Sequence, residues 1–362
     1  MEQNPTIYKL TDRTFRRCKR LIKSGEIVAF PTETVYGLGA NALDPKAVSK
    51  IFEWKGRPNN NPIIVHFSKL TQLDKITNLT YFEKKVMNII ANVVWPGPIT
   101  LVLRASNIVP KEITAGKEFV GVRMPNDSVA RKLIDNSECL IAAPSANISG
   151  HCSPYTSEHV FNDFKDRNLF ILDDSENRNL RFGIESTVIK LEEKSSSIIN
   201  ITILRTGIIG GNKIKKILES NSIKYNIDYY DRKCNDTVVM DCPGQLFRHY
   251  APIIPAFIER NYSNIIVRQS FIKKYVIISA NNSLNEYKDI CLKFLDLGCT
   301  LLDVAKNIYS ILRLAEKCIG AIGIIISIKN LDYMKDIDSD IDLAIHDKLS
   351  RCTEGKFIKI IK

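Results

Sequence analysis

Two cations one residue apart, Lys55 and Arg57, stand in the stretch 54–66, WKGRPNNNPIIVH, with three asparagines after them and prolines at 58 and 62. They fall where a helical pattern ends and a β-branched one begins, so both leave rigid supports and enter a turn that the prolines restrain. Fixed cations suit anionic ligands. Arginine offers a planar fork to a carboxylate or phosphate, lysine a compact charge, and Asn61 can donate or accept. Two other stretches have compatible chemistry. Residues 30–42, FPTETVYGLGANA, carry hydroxyls and two glycines, a composition that lets backbone and side chain approach a ligand closely. Residues 143–150, APSANISG, place small hydroxyl and amide groups directly after a buried strand, and strand ends are common ligand sites in α/β sheets. Each stretch also has an ordinary reading, with Lys55 as a helix C-terminal lysine complementing the dipole and the rest as turn chemistry. No GxxxxGK[ST] phosphate loop occurs in the chain.

The elements that must hold these residues alternate along the chain. Phe15, Cys18 and Ile22 form a helical pattern that stops at Gly25, and the strand-like EIVAF follows. Asp44 and Pro45 open a helix running to about Trp54. The segments IIVHF, ITLVLRA, FVGVRMP, CLIAAPSAN, FILDD, STVIKLE and ITILRTG are short, rich in β-branched or aromatic residues, and bounded by turn formers. The alternation predicts one α/β domain to about Gly211. Residues 223–252 read as a linker, and YVIISA, a helix near 302–318, AIGIIIS and a last helix near 342–351 predict a second, smaller α/β unit.

Composition sets bounds. The 362 residues are 44% hydrophobic and 25% charged, ordinary for a globular protein of two domains. A formal charge of +11 favours anionic partners without choosing among them. Nine cysteines without a CxxC pair support neither a disulfide framework nor a structural zinc site. With no signal-type segment and no apolar run long enough to span a bilayer, the expected location is the cytosol.

The ordered set PTETVYGLG, KGRP with a histidine nine residues after its arginine, GVRMP, APSANISG, ESTV and LRTG resembles the YrdC-type L-threonylcarbamoyladenylate synthases over the whole N-terminal domain. PGQLFRHYAP is similar to the linker motif of the two-domain members. The resemblance implies a YrdC-like twisted mixed sheet with flanking helices (1–222), a linker or lid (223–252) and a smaller Rossmann-like α/β domain (253–362). It implies a reaction of L-threonine, bicarbonate or carbon dioxide, and ATP that yields threonylcarbamoyl-AMP and pyrophosphate. The product would supply a downstream transferase complex that modifies tRNA.

By the same resemblance, Arg57, Asn61, Ser145, Ser153, Arg205 and Tyr250 contact ATP, and Lys55 and Asn147 complete the KxR and SxN signatures. Threonine is assigned to Thr34, His66, Arg123, Ala143 through its backbone, and Ser186. The chemistry brings two anions together, so Lys55 and Arg57, with Arg205, are expected to clamp the triphosphate and the charge developing in the transition state. Magnesium is expected on the nucleotide phosphates rather than in a protein cage. His66 is expected to contact substrate and to help the threonine amine lose its proton. Glu33 and Glu185 read as structural hydrogen-bond acceptors, and Arg248, His249 and Tyr250 as part of a segment folding over a bound anion. Two rivals stand beside this reading: a hydrogenase-maturation carbamoyltransferase, whose acylphosphatase-like domain and zinc fingers are missing from this sequence, and an RNA-binding YrdC-like module without synthase activity.

Overall fold

Capping residues fix the first two helices, α1 (Asp12–Lys23) and α2 (Pro45–Lys55). Thr11 caps α1 by accepting from the Thr14 N–H at 3.1 Å. At α2, Asp44 Oδ1 accepts from the N–H groups of Lys46 and Ala47 at 2.9 and 3.3 Å, and Pro45 supplies a preset φ. Gly56 ends α2 in the left-handed region at φ 59°, where glycine carries no steric cost, and the chain turns directly into the loop that bears Arg57.

The computed structural model describes residues 4–175, 182–195, 197–230, 249–329, 331 and 338–361. They fall into two units. The first comprises 4–149, 154–175, 185–195 and 197–230, and the second 150–153, 182–184 and the described residues from 249 onward.

Among the described residues the first unit has eleven strands: β1 (Thr6–Tyr8), β2 (Val28–Phe30), β3 (Gly37–Asn41), β4 (Val65–His66), β5 (Ile99–Arg104), β6 (Phe119–Arg123), β7 (Ile141–Ala142), β8 (Phe170–Leu172), β9 (Thr187–Ser195), β10 (Ile198–Arg205) and β11 (Lys224–Tyr229). They join in one mixed sheet of order β1-β8-β2-β3-β7-β4-β6-β5-β9-β10-β11. Alternation along the strands builds a core on each face. Ala29, Leu38, Val65, Leu101, Val122 and Ala142 belong to the larger core. Val28, Phe30, Ile141 and Ala143 belong to the other, under α1 and the helix Ser128–Ser137. Gly39 is required by this packing, because a Cβ there would lie 2.6 Å from the Phe30 ring and 2.9 Å from Ile141. The match to the expected α/β mixed sheet is direct, with one correction. Residues 224–229, assigned from sequence to the linker, form the edge strand β11, parallel to β10. Only Tyr225 and Ile227 of that strand pack on the core, so its composition is polar enough to hide the pattern. Within the rest of the expected linker, residues 231–248, with Arg248, lie outside the described residues.

The second unit contains β12 (Ala256–Glu259), β13 (Ile266–Arg268), β14 (Tyr275–Ala280), β15 (Lys293–Gly298), β16 (Gly323–Ser327) and β17 (Phe357–Ile361), with helices Leu301–Ala315 and Asp338–Cys352. Every pairing is parallel, in the order β13-β17-β12-β16-β14-β15, which departs from the 3-2-1-4-5-6 order of the dinucleotide-binding fold. The central strands β14 and β16 are almost wholly apolar, as strands covered on both faces must be.

Candidate functional site

The register of the sheet assembles the site. Val65 pairs with Val122 and Ala142, and Leu101 with Val122, all pointing into the larger core. His66, Arg123, Thr100 and Ala143 alternate with these residues and therefore share the opposite face. Gly121 lies on that face too. A Cβ there would sit 3.4 Å from the Thr100 methyl group, so its absence leaves room between Thr100 and Ile64. Strand ends were the expected location, and His66 and Arg123 are the last residues of β4 and β6, with Ala143 directly after β7.

Four of the residues assigned to threonine meet within this framework. Arg123 Nη1 donates to Thr34 Oγ1 at 3.1 Å, and His66 is paired with Arg123 in the β4–β6 register. The Ala143 N–H donates to the Ile64 carbonyl at 3.0 Å. Ser186, the fifth, shares a 2.8 Å hydrogen bond with Thr100, on the strand beside Arg123.

Three observations in this cluster were not legible in the sequence. Arg123 Nε and Nη2 are buried and have no hydrogen-bond partner. Glu33, 4% exposed, approaches that edge with Oε1 2.8 Å from Nη2, yet neither of its oxygens accepts a hydrogen bond. The expectation of a structural acceptor at Glu33 is thus corrected, and an acid beside Thr34 in the PTET turn was the available signal. His66 is buried, with Nδ1 unbonded, and its pKa is pushed down to about 3 by desolvation and then by the Arg123 charge. An imidazole so resistant to protonation is neutral and a weak base, which argues against the expected role in deprotonating the amine.

The cations assigned to the nucleotide behave differently. Lys55 reaches back to the turn after β7, donating to the carbonyls of Ser145 at 2.6 Å and Asn147 at 2.5 Å. KxR and SxN are therefore one physical unit. The sequence reading placed this ammonium on the triphosphate, whereas at least two of its three donors hold the turn. Arg57 closes its own loop, with Nε on the Asn61 carbonyl at 3.1 Å and Nη2 on Asn61 Oδ1 and the Pro62 carbonyl at 2.5 and 2.8 Å. Residues 57–62 thus form a self-tied loop. Asn61 Nδ2 is left buried without a partner. Arg205 donates to Ser186 twice, from Nε to the carbonyl at 3.0 Å and from Nη2 to the hydroxyl at 3.1 Å, and so ties LRTG to ESTV. Gly207 permits this approach, since a Cβ there would lie 2.5 Å from the Thr187 amide nitrogen.

Ser153 and Tyr250 belong to the second unit. Ser153 is fully buried. Tyr250, at φ 62°, packs its ring 5.4 Å from that of Tyr309 and 4.0 Å from that of His249, and Lys348 Nζ lies 5.5 Å over it. Its carbonyl accepts from the Cys152 thiol at 3.2 Å.

Residues 20–207 match the model of the Sua5–YciO–YrdC family, described as "Telomere recombination", and residues 209–353 match a model described as "Threonylcarbamoyl-AMP synthase, C-terminal domain". The chain belongs to the Sua5–YciO–YrdC family. Among curated members it is 39% identical over 300 residues to the threonylcarbamoyl-AMP synthase of Pyrococcus abyssi (strain GE5 / Orsay), covering 81% of this chain and 82% of that one. It is 32% identical over 357 residues to that of Bacillus subtilis (strain 168), covering 96% and 95%. The crystal structure of P. abyssi Sua5 complexed with L-threonine superposes with a TM-score of 0.79 at 33% identity, over 99% of each chain. Among the described residues no helix is long and apolar enough to cross a membrane.

Proposed function

We infer that the chain is a threonylcarbamoyl-AMP synthase, a nucleotidyltransferase that joins L-threonine, bicarbonate or carbon dioxide, and ATP, and releases pyrophosphate. The observation that carries this reading is the buried, unbonded Nε–Nη2 edge of Arg123, which matches the two oxygens of an amino-acid carboxylate. It stands on a face that also presents the Ser186 and Thr34 hydroxyls. The names of the relatives and the threonine bound to P. abyssi Sua5 support the same substrate.

In this reaction a carbamate formed on the threonine amine attacks the α-phosphorus of ATP, and the bond to pyrophosphate breaks. Arg123 orients the carboxylate, and His66, held neutral, offers Nδ1 as an acceptor without adding positive charge. Arg57 and Arg205 supply preplaced positive charge toward the nucleotide. Lys55 acts through the turn that carries Ser145 and Asn147, so it is a positioning residue. Magnesium enters as part of the MgATP substrate, on phosphate oxygens and water. Among the described residues no group of three or more His, Cys, Asp or Glu side chains could hold a metal ion. The product would pass to a transferase that modifies tRNA. An RNA-binding module without synthase activity is not favoured, since the two relatives above carry an enzyme's name.

The test is to incubate the pure chain with labelled L-threonine, bicarbonate and MgATP and to follow pyrophosphate and threonylcarbamoyl-AMP. Both should appear only when threonine is present. Equal pyrophosphate without threonine would overturn the assignment.

A further inference from the structure

Glu33 is a buried carboxylate that the scheme above leaves unused. Its geometry is unlike that of a structural partner for Arg123. A structural arginine–carboxylate pair aligns two N–H groups on two oxygens, which offsets the desolvation of both charges. Here Oε1 lies 2.8 Å from Nη2, but neither Glu33 oxygen accepts a hydrogen bond and neither Nε nor Nη2 donates one. Both side chains are more than nine-tenths buried, so these lost bonds are costly.

A substrate explains what the pair by itself does not. A carboxylate docking on the Nε–Nη2 edge sets a second anion beside Glu33, and two carboxylates then face one guanidinium. Like charges so close repel strongly. An α-amino acid brings the remedy with it, because its ammonium is one carbon away from its carboxylate. A neutral ion pair thus meets a neutral zwitterion, and each charge finds an opposite.

Resting on the synthase reading, we propose that Glu33 is a specificity-determining residue of the amino-acid site, accepting the α-ammonium of the substrate while Arg123 takes its carboxylate. The site then selects α-amino acids over hydroxy acids that carry the carboxylate alone. Thr34 connects the two partners, since it follows Glu33 in the chain and accepts from Arg123.

The experiment compares two ligands by calorimetric titration of the full chain, wild type and Glu33→Gln. The ligands are L-threonine and 3-hydroxybutanoate, which is threonine without its amine. Glu33→Gln should weaken L-threonine binding by about 30-fold or more and leave 3-hydroxybutanoate as tight as before or tighter. Equal losses for both ligands would make Glu33 a support for Arg123 only and overturn the proposal, as would unchanged threonine binding. A wild-type chain that binds no L-threonine overturns the synthase reading and this one with it. Should Glu33→Gln not fold, Glu33→Asp is measured by the same ratio. Withdrawal of the charge by one methylene should lower threonine affinity relative to 3-hydroxybutanoate, and parallel changes would again count against the role.

Discussion

The two cation groups of the first unit show opposite uses of a buried positive charge. Lys55, Arg57 and Arg205 bind carbonyls and polar side chains of the chain itself: the turn after β7, the asparagine loop and the Ser186 segment. Arg123 gives Nη1 to Thr34, while its Nε and Nη2 make no hydrogen bond even though Glu33 Oε1 stands 2.8 Å from Nη2. The first group ties loops together, whereas the second keeps hydrogen-bonding capacity that the chain does not use, although all four residues are similarly buried. Burial of a cation is therefore a poor guide to its role. The hydrogen bonds it has left to make are a better one.

Four changes would break or sharpen that contrast. Lys55→Met strips the donor from two buried carbonyls, so the chain should lose about 3 kcal/mol of stability. Urea unfolding reads this, and an unmoved midpoint would put Lys55 in the ligand-binding group instead. Arg123→Lys keeps the charge but not the fork. It should lower kcat/KM for L-threonine on the order of 100-fold, about 2.7 kcal/mol, through a higher KM. Near-normal threonine kinetics would end the role assigned to the open edge.

The pH dependence of stability tests the electrostatics. His66 is held neutral, with a folded pKa of about 3 against an ordinary 6.5. The unfolded chain therefore binds the extra proton between these values. This contribution to stability is complete above about pH 6.5 and declines as pH falls toward 3, by roughly 1.4 kcal/mol per pH unit at most. Between pH 7 and pH 5 the wild type should lose about 2 kcal/mol more than His66→Gln. Parallel pH profiles would show that the imidazole protonates freely in the folded chain. The smallest effect is expected from Thr34→Val, which removes the acceptor of Arg123 Nη1. KM for threonine should rise about fivefold, near 1 kcal/mol, in steady-state assays.

Local chemistry was legible in the sequence where the physics is local. Asp44 and Pro45 announce α2, and the alternating strands announce the sheet with its two cores. The motif residues were legible as a set through their order, since KGRP and APSAN lie far apart in the chain and meet through Lys55. What escaped depends on partners distant in sequence. A glutamate between two threonines looks the same whether it is satisfied or not, and only the folded chain brings Arg123, ninety residues on, to Glu33. The suppressed basicity of His66 is likewise a product of burial and of the neighbouring strand. β11 was hidden because an edge strand needs few apolar residues.

The tether between Lys55 and the turn after β7 has a chemical consequence. An amine held by two carbonyls inside the protein is shielded from acylating reagents that modify surface lysines readily. It becomes reactive only when the turn lifts and releases it. The rate at which Lys55 takes a label is thus a clock for the opening of that turn, built into the molecule without any added probe.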